Sequence, residues 1–408
     1  MSKMSRMLSG KMLLVLLMGF VSGLPLFLVG STLQAWMKDA GVDLTVIGLF
    51  SLVGLPYTLK FLWAPLMDRY TVLPGLGRRR SWMLLSQILL GVSIVALGLS
   101  DPQGAPAVVA FLAVCVAFFS ASQDIVLDAW RREALSDDEL GLGSSTFVTG
   151  YLISMRLVAG ALALILADHM PWNRVYLIMG ALVTVGIATT LVAREPEVST
   201  APPRTLKESV VEPFVDFFSK SGAWILLAFI LLYKIGDNMA SAMTMPFYLE
   251  LGFTKTDIAA VTKIFGWIAT TVGGLVGGAI ILKIKIKPAL FWFGILQAIS
   301  TLAFAALAIV GKSQAVLTAV IAFENLTAGM GTAAFVAFMA TLTNKKFTAT
   351  QYALLTSLMG VPRVIAAAPT GFLAKELGWT GFFVACTLIA LPGMLLLKPI
   401  FRLEDKTA

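Results

Sequence analysis

The sequence predicts an all-α polytopic membrane protein with twelve membrane-spanning helices arranged as two six-helix bundles. Hydrophobic residues make up 58% of the 408 residues and charged residues only 13%, whereas a soluble domain has about 25% charged residues. The mean hydropathy of +0.86 supports the same class. Twelve apolar runs are close to the length of about 20 residues that a helix needs to cross a bilayer. The predicted spans are residues 12–37, 46–67, 82–99, 107–130, 144–167, 172–193, 223–249, 258–282, 289–310, 315–343, 349–374 and 379–397.

The basic residues between the spans are distributed unequally over the two faces of the membrane. Of the 31 Lys and Arg residues, 21 fall on the face that carries both termini, five on the opposite face and five within spans. Lys and Arg near spans stay in the cytoplasm, so this distribution predicts that both termini are cytoplasmic. It also explains the net charge of +8 better than nucleic-acid binding does.

The connection at residues 194–222 is the long one, and it contains four prolines. We interpret it as a cytoplasmic linker between an N-terminal bundle, residues 1–193, and a C-terminal bundle, residues 223–408. Its segment 206–218 is amphipathic, which is typical of a helix that lies on the membrane surface.

The two predicted bundles show signs of an internal repeat. Gly23 in the first span corresponds to Gly236 in the seventh, and Gly54 in the second corresponds to Gly266 in the eighth. Arg156 in the fifth span corresponds to Arg363 in the eleventh. The separation in sequence is nearly the same for all three pairs. A duplicated six-span unit is typical of secondary transporters with two bundles.

Charged residues within spans are costly and usually face a cavity or a partner, so they are the candidate functional residues. The bases are Lys60, Arg156, Lys234, Lys263 and Arg363, and the acids are Asp124, Asp237 and Glu324, with Asp128 near the end of its span. Bases outnumber acids, which favours an anionic substrate. His169 is at the external end of the fifth span, where we expect a solvated loop residue rather than a proton carrier.

Several of these charges also have a purely structural interpretation. Asp128 is three residues from Arg131 on one helix and can form an ion pair with it. Lys234 and Asp237 have the same spacing and can neutralise each other. Lys60 and Lys263 can extend their ammonium groups toward the interface. Arg156, Arg363, Glu324 and Asp124 are harder to explain in this way, because none has an opposite charge three or four residues away.

A charged loop between the second and third spans resembles the loop signature of the major facilitator transporters. It consists of Asp68-Arg69-Tyr70 followed by Gly77-Arg78-Arg79-Arg80. We expect Asp68, Arg69 and Arg78, together with Asp128 and Arg131, to control conformation rather than to bind substrate.

Longer segments resemble the AmpG-type muropeptide permeases within that superfamily. They are GLPL at 23–26, LQAWM at 33–37, KFLWAPLMDRY at 60–70, SASQDIV at 120–126, YKIGD at 233–237, FENL at 323–326, GMGT at 329–332 and NKKFTATQ at 344–351. The resemblance covers essentially the whole chain. It implies a bacterial inner-membrane importer, driven by the proton gradient, of N-acetylglucosaminyl-1,6-anhydro-N-acetylmuramyl units with or without a stem peptide. In that family the activity serves peptidoglycan recycling and signals β-lactamase induction, which contributes to antibiotic resistance.

Such an anionic glycopeptide needs cations for its carboxylates, and aromatic and amide groups for its sugar faces. The candidate substrate-binding residues are Arg156, Arg363, Lys234, Gln123, Gln34, Trp36 and Tyr57. In a two-bundle transporter the fifth and eleventh spans face each other across the central cavity, so Arg156 and Arg363 would hold an anion from both sides. Trp36 can equally be a residue of the interfacial aromatic belt.

Glu324, Asp124 and Asp237 are the candidate proton-coupling residues, because a buried carboxylate takes up a proton near neutral pH more readily than an exposed one. We expect no cofactor or metal beyond the proton gradient, no catalytic residues and a monomer. One alternative is a facilitator of another anionic or drug-like substrate, such as an acetyl-CoA-like anion. Another is a membrane enzyme, for which the sequence contains no catalytic constellation.

Overall fold

The computed structural model describes residues 10–135, 137–196, 218–219, 222–342, 358 and 360–405. This part of the chain is helical and contains no strand. In chain order the α-helices are α1 Gly10–Leu28, α2 Ser31–Asp39, α3 Leu44–Leu49, α4 Leu55–Leu59, α5 Ala64–Arg69, α6 Arg78–Gly98, α7 Pro106–Ala134, α8 Asp137–Leu152, α9 Ala163–His169, α10 Trp172–Leu182, α11 Thr184–Val192, α12 Ala223–Leu232, α13 Ile235–Glu250, α14 Lys255–Ile258, α15 Gly266–Ile284, α16 Ile286–Val310, α17 Gln314–Leu342, α18 Thr370–Leu395 and α19 Leu397–Asp405.

Ten helical stretches within the described residues are long and apolar enough to cross a membrane. They confirm ten of the predicted spans. The second predicted span is instead divided among α3, α4, α5 and two 3₁₀ segments, Phe50–Gly54 and Lys60–Leu62. Most of the eleventh predicted span, 349–374, and nearly all of the surface segment 206–218 lie outside the described residues.

The chain divides into two compact units, and each unit includes a short segment from the other half of the sequence. Unit 1 contains residues 1–42, 53–202 and 254–259, whereas unit 2 contains residues 43–52, 203–253 and 260–408. Each unit has a buried apolar cluster. In unit 1 this cluster includes Met18, Met83 and Trp130, and in unit 2 it includes Phe229 and Phe335.

Glycines allow the closest helix contacts in both units. In unit 1, Gly19 and Gly23 of α1 approach the backbone of α8 at Phe147 and Tyr151. In unit 2, Gly273 of α15 approaches the backbone of Leu326 in α17. A membrane offers little hydrophobic drive for helix association, so helices in lipid rely on such close packing of small residues.

The glycines of α15 provide a matched pair of variants. A Cβ atom at Gly273 would overlap the Leu326 backbone, whereas one at Gly274 would meet nothing within 4 Å. We therefore expect Gly273→Ala to lower the free energy of unfolding by about 1–3 kcal/mol through overpacking. Gly274→Ala is expected to be neutral or slightly stabilising, because alanine is the better helix former. Thermal melting of the two purified variants compares them, and equal melting temperatures would contradict the tight α15–α17 contact.

Candidate functional site

Helix interruptions coincide with the basic residues of the spans. Each of the five bases singled out from the sequence lies where regular α-helix stops. Their segments are the 3₁₀ turn Lys60–Leu62 for Lys60, the π-helix Ile153–Leu162 for Arg156, the break between α12 and α13 for Lys234, the π-helix Ala259–Phe265 for Lys263 and the π-helix Pro362–Ala366 for Arg363. Because π-helical turns are rare and concentrate at functional sites, this coincidence marks these positions as the candidate site.

The interruptions occur at corresponding places in the two halves of the sequence. Arg156 and Arg363, which match in the repeat, both lie in π-helices. The 3₁₀ segment Phe50–Gly54 of the second span corresponds in the same repeat to the π-helix Ala259–Phe265 of the eighth span. The irregular backbone therefore follows the same repeat as the charges do.

The π-helix of unit 1 is held against the first span. Thr32 Oγ1 donates a buried hydrogen bond of 2.7 Å to the carbonyl oxygen of Ala159, and Gly160 lies under the ring of Phe27. A π-helix leaves carbonyl groups poorly paired within the helix, and Thr32 satisfies one of them. Arg156, near the start of this segment, is only partly exposed. The guanidinium is thus carried by a braced, irregular turn.

Asp124 on α7 is partly buried and accepts a hydrogen bond of 2.6 Å at Oδ1 from Ser22 Oγ of α1. Lys60 and Asp128 interact with it electrostatically. Its neighbour Gln123 is fully buried, and neither the oxygen nor the nitrogen of its amide has a hydrogen-bond partner among the described residues. Leaving a buried amide unpaired costs free energy. Span 4 therefore combines a carboxylate within the membrane and an unsatisfied amide at consecutive positions.

In unit 2, Lys234 lies at the break between α12 and α13. Its Nζ donates to Thr332 Oγ1 of α17 at 2.9 Å and lies 3.9 Å from Asp237 Oδ2. The ion pair expected from the sequence spacing is therefore present but long. The lysine links two spans rather than only balancing a charge on its own helix.

Glu324 belongs to a chain of polar side chains between α17 and α15. Its carboxylate accepts a hydrogen bond of 2.7 Å from Asn325 Nδ2, and Asn325 Oδ1 accepts one of 2.8 Å from Thr270 Oγ1. A carboxylate fixed in this way keeps a defined orientation, which a group that exchanges protons needs. Arg363, in contrast, is exposed on its π-helix.

Trp36 packs inside unit 1 rather than lining an open surface. It is 7% exposed, stacks on Trp172 with ring centroids 6.3 Å apart and lies 4.9 Å from the ring of Tyr176. Gln34 and Tyr57, the other two residues proposed for sugar contacts, are partly exposed. Lys263 is 9% exposed, so its side chain is enclosed by protein.

The predicted gating residues lie at one end of unit 1. Asp128 Oδ1 and Arg131 Nη2 form the expected ion pair at 2.9 Å, and the Arg131 guanidinium lies 4.4 Å from the centroid of the Phe147 ring. Arg78 Nη2 is 3.8 Å from Glu133 Oε1. The side chains of Asp68 and Arg69 lie outside the described part of the structure.

The sequence did not predict the ion pair at the centre of this group of charges, which is formed by Arg79 and Glu133. Arg79 is 5% exposed and binds Glu133 through two guanidinium nitrogens, with Nη2–Oε1 at 2.6 Å and Nε–Oε2 at 3.0 Å. Glu195 accepts hydrogen bonds from the backbone N–H groups of Arg79 at 2.7 Å and Arg80 at 2.9 Å. A carboxylate at the N-terminus of α6 also interacts favourably with the helix dipole. The sequence did contain a signal: Glu195 follows the sixth span on the same predicted face of the membrane as the arginine run 78–80.

Among the described residues there is no group of three His, Cys, Asp or Glu side chains that could hold a metal ion. Each unit carries cations at helix interruptions and one oriented carboxylate, Asp124 in unit 1 and Glu324 in unit 2. Within each unit, such cations can bind an anion and the carboxylate can take up and release a proton.

Comparison with known proteins agrees with this picture. The model of the Major Facilitator Superfamily matches residues 15–367 and 237–408. The anhydromuropeptide permease of Escherichia coli K12 is 46% identical over 94% of this chain and 78% of its own length. An uncharacterised protein of Haemophilus influenzae is 41% identical over 99% of this chain and 98% of its own. A putative transporter of Rickettsia conorii named AmpG 4 is 34% identical over 94% of both chains.

Solved structures show the same fold at low sequence identity. A bacterial homologue of the human lysosomal transporter Spinster has a TM-score of 0.77, at 15% identity, over 100% of this chain and 99% of its own. A D-xylose–proton symporter has a TM-score of 0.72, at 10% identity, over 95% of this chain and 96% of its own. By fold and by sequence, the chain belongs to the Major Facilitator Superfamily and, within it, to the AmpG-type permeases, and it is a membrane transporter rather than an enzyme.

Proposed function

We propose that this transporter imports 1,6-anhydromuropeptides, the GlcNAc-anhydroMurNAc unit with or without a stem peptide, from periplasm to cytoplasm by alternating access. The observation that carries the proposal is the 46% identity, over nearly the whole chain, to a permease named for this substrate. Import of this class would serve peptidoglycan recycling and the signal for β-lactamase induction.

The charges of the candidate site support an anionic substrate of this kind. Arg156, Lys234 and Arg363 lie at helix interruptions, and the spans carry more bases than acids. Stem-peptide carboxylates suit guanidinium groups, which bind a carboxylate through two parallel hydrogen bonds. Gln123, Gln34 and Tyr57 are the polar groups proposed to contact the sugars.

We propose that the proton gradient drives uptake through Asp124 and Glu324, with Asp237 as a further candidate. Asp124 and Glu324 each accept a hydrogen bond from a neutral side chain, which fixes the orientation of the carboxylate. Asp237 has Lys234 at 3.9 Å, so its charge is already partly balanced and it ranks third.

For the membrane arrangement we propose a monomer in the bacterial inner membrane, with both termini and the linker 194–222 in the cytoplasm between bundles 1–193 and 223–408. Pro74 and Gln103 are both exposed, in the loops before and after α6. In a background without Cys115 and Cys386, an impermeant maleimide is expected to label Gln103→Cys in intact spheroplasts. Pro74→Cys is expected to react only after permeabilisation. Labelling of Pro74→Cys alone in intact spheroplasts would reverse the topology.

Counterflow in proteoliposomes tests the substrate. Vesicles loaded with unlabelled anhydro-disaccharide are expected to accumulate the labelled disaccharide transiently, and vesicles loaded with maltose are not. Running the assay with and without a stem peptide defines the preference. Counterflow driven by acetyl-CoA and not by the disaccharide would replace the proposal with the alternative of another anionic substrate.

A further inference from the structure

Buried polar groups that lack a hydrogen-bond partner are concentrated in unit 1, on α6 and α7. The side chains of Gln87 on α6 and of Ser120 and Gln123 on α7 are 0% exposed. Nε2 of Gln87, Oγ of Ser120 and both polar atoms of the Gln123 amide have no hydrogen-bond partner among the described residues. Buried polar groups in native proteins are nearly always paired, either with protein or with an internal water molecule. These four atoms therefore indicate a site for a small polar ligand.

The three residues lie at a similar depth in unit 1. Arg79 of α6 pairs with Glu133 of α7, which fixes the register of these two consecutive helices at one end. At a rise of about 1.5 Å per residue, Gln87 is about 12 Å from that pair along α6, and Gln123 is about 15 Å from it along α7. Ser120 follows within one further turn and is on the same face of α7 as Gln123. The unpaired groups can therefore share a ligand between the two helices.

Contacts with α11 and α1 orient the Gln87 amide. Its Oε1 accepts a hydrogen bond of 2.9 Å from Thr190 Oγ1 of α11, which leaves Nε2 to find an acceptor elsewhere. Nε2 lies 3.1 Å from the point that a Cβ atom on Gly186 of α11 would occupy, and the side chain of Val21 of α1 lies 2.7 Å from the same point. The amide nitrogen is thus directed into the packing of unit 1 rather than toward lipid.

Water is the ligand that fits these atoms. Gln123 Oε1 only accepts hydrogen bonds, the amide nitrogens of Gln87 and Gln123 only donate them, and Ser120 Oγ can do both. A cation would leave the amide nitrogens unpaired and an anion would leave the amide oxygen unpaired, whereas a water molecule both donates and accepts. The site is enclosed, so the Gln123 amide would have to leave it before it could contact a sugar.

Unit 2 has a related glutamine at the matching place. Gln297 lies on α16, the ninth predicted span, as Gln87 lies on the third. The separation of these two residues in sequence is between those of the repeat pairs Gly54–Gly266 and Arg156–Arg363. Gln297 is 7% exposed, and its Nε2 also has no hydrogen-bond partner among the described residues. The unpaired amide nitrogen is therefore repeated in both units.

We propose that Gln87, Ser120 and Gln123 form an internal water-binding site in unit 1, and that Gln297 binds water at the matching position of unit 2. The water in unit 1 joins α6 to α7 through hydrogen bonds well inside the two helices. Hydrogen bonds between helices are part of what holds them together in lipid, where the hydrophobic drive for association is weak. The proposal depends neither on the substrate nor on the coupling residues of the proposed function.

A crystal structure of the full-length protein, at a resolution that shows ordered water, tests the site directly. Density for a water molecule is expected within about 3 Å of Ser120 Oγ and of one atom of the Gln123 amide, the distance of an ordinary hydrogen bond. A second water is expected beside Gln297 Nε2. A structure in which ordered waters are seen elsewhere, but the unit 1 site is dry or its amides pair with protein groups, would overturn the proposal.

Thermal melting of Gln123→Met gives a second test, because its direction differs between a wet and a dry site. Methionine has a similar length but no amide. If the amide binds water, its loss leaves the water and Ser120 short of partners, and the melting temperature is expected to fall by about 2–4 °C. If the amide is unpaired, removing it relieves a buried polar group and the melting temperature rises. An unchanged or raised melting temperature would therefore contradict the site.

Two further variants separate bound water from general damage to packing. Gln314→Met makes the same change at an exposed position at the start of α17 and is expected to melt as the parent does. Ser120→Ala combined with Gln123→Met is expected to lower the melting temperature by less than the sum of the two single changes, because both residues share one water. Additive losses would exclude a shared water. No substrate is present, so failure of the muropeptide counterflow assay leaves these results unaffected.

Discussion

Replacement of Arg156 by lysine is expected to weaken binding of a carboxylate-bearing muropeptide by about tenfold to a hundredfold, since one charge-assisted contact contributes about 1.5–3 kcal/mol. Lysine keeps the positive charge but lacks the planar fork that binds a carboxylate through two nitrogens. The π-helix around Arg156 is braced by Thr32, so the backbone is expected to present the lysine in the same place. Arg363→Lys is expected to show a loss of similar size.

The measurement is ligand affinity by isothermal calorimetry on folded, monodisperse protein, for the disaccharide with and without stem peptide. Arg174→Lys is the matched control, because Arg174 is exposed near the start of α10 and has no proposed contact with substrate. If the arginines only balance a buried acid, the variants will melt earlier and the well-folded fraction will bind normally. Unchanged affinity in both Arg156→Lys and Arg363→Lys would exclude both arginines from the binding site.

The positions of ten spans, and of the charges within them, could be predicted from the sequence because both depend on local composition. A run of about 20 apolar residues has few alternatives to a membrane helix, and a charge within it stands out. The form of the helix could not be predicted in the same way. Residues 46–67 form an apolar run like the others, yet the structure divides them into short α and 3₁₀ segments. Nothing in hydropathy distinguishes α, 3₁₀ and π turns.

Contacts between residues far apart in the sequence could not be predicted either. The pair Asp128–Arg131 was predictable because both residues are on one helix, three positions apart. Arg79 pairs with Glu133 and its backbone N–H with Glu195, both far along the chain, so no local spacing indicated them.

Asp124→Asn is expected to abolish uphill uptake while leaving exchange across the membrane intact. Asparagine keeps an oxygen that accepts the hydrogen bond from Ser22 Oγ, 2.6 Å from Asp124 Oδ1, so local packing is retained. It cannot take up or release a proton at any accessible pH. If Asp124 carries the coupled proton, the variant can still alternate with substrate bound, but the proton gradient no longer drives the cycle in one direction.

The expected size follows from the driving force. A gradient of one pH unit supplies about 1.4 kcal/mol, or about tenfold accumulation per proton carried. Proteoliposomes with an inward proton gradient are therefore expected to accumulate labelled substrate about tenfold with the parent, and only to the external concentration with Asp124→Asn. Counterflow at equal pH on both sides is expected to be similar for the two proteins.

Two further variants separate the coupling group from other carboxylates. Asp101→Asn, in the loop after α6, removes an exposed carboxylate outside the spans and is expected to leave accumulation unchanged. Glu324→Gln keeps an acceptor for Asn325 Nδ2 and tests the second candidate in the same assay. Parental accumulation by Asp124→Asn together with its loss in Glu324→Gln would assign coupling to unit 2. Loss of accumulation in both variants would indicate that coupling requires both carboxylates, because neither one alone then supports uphill uptake.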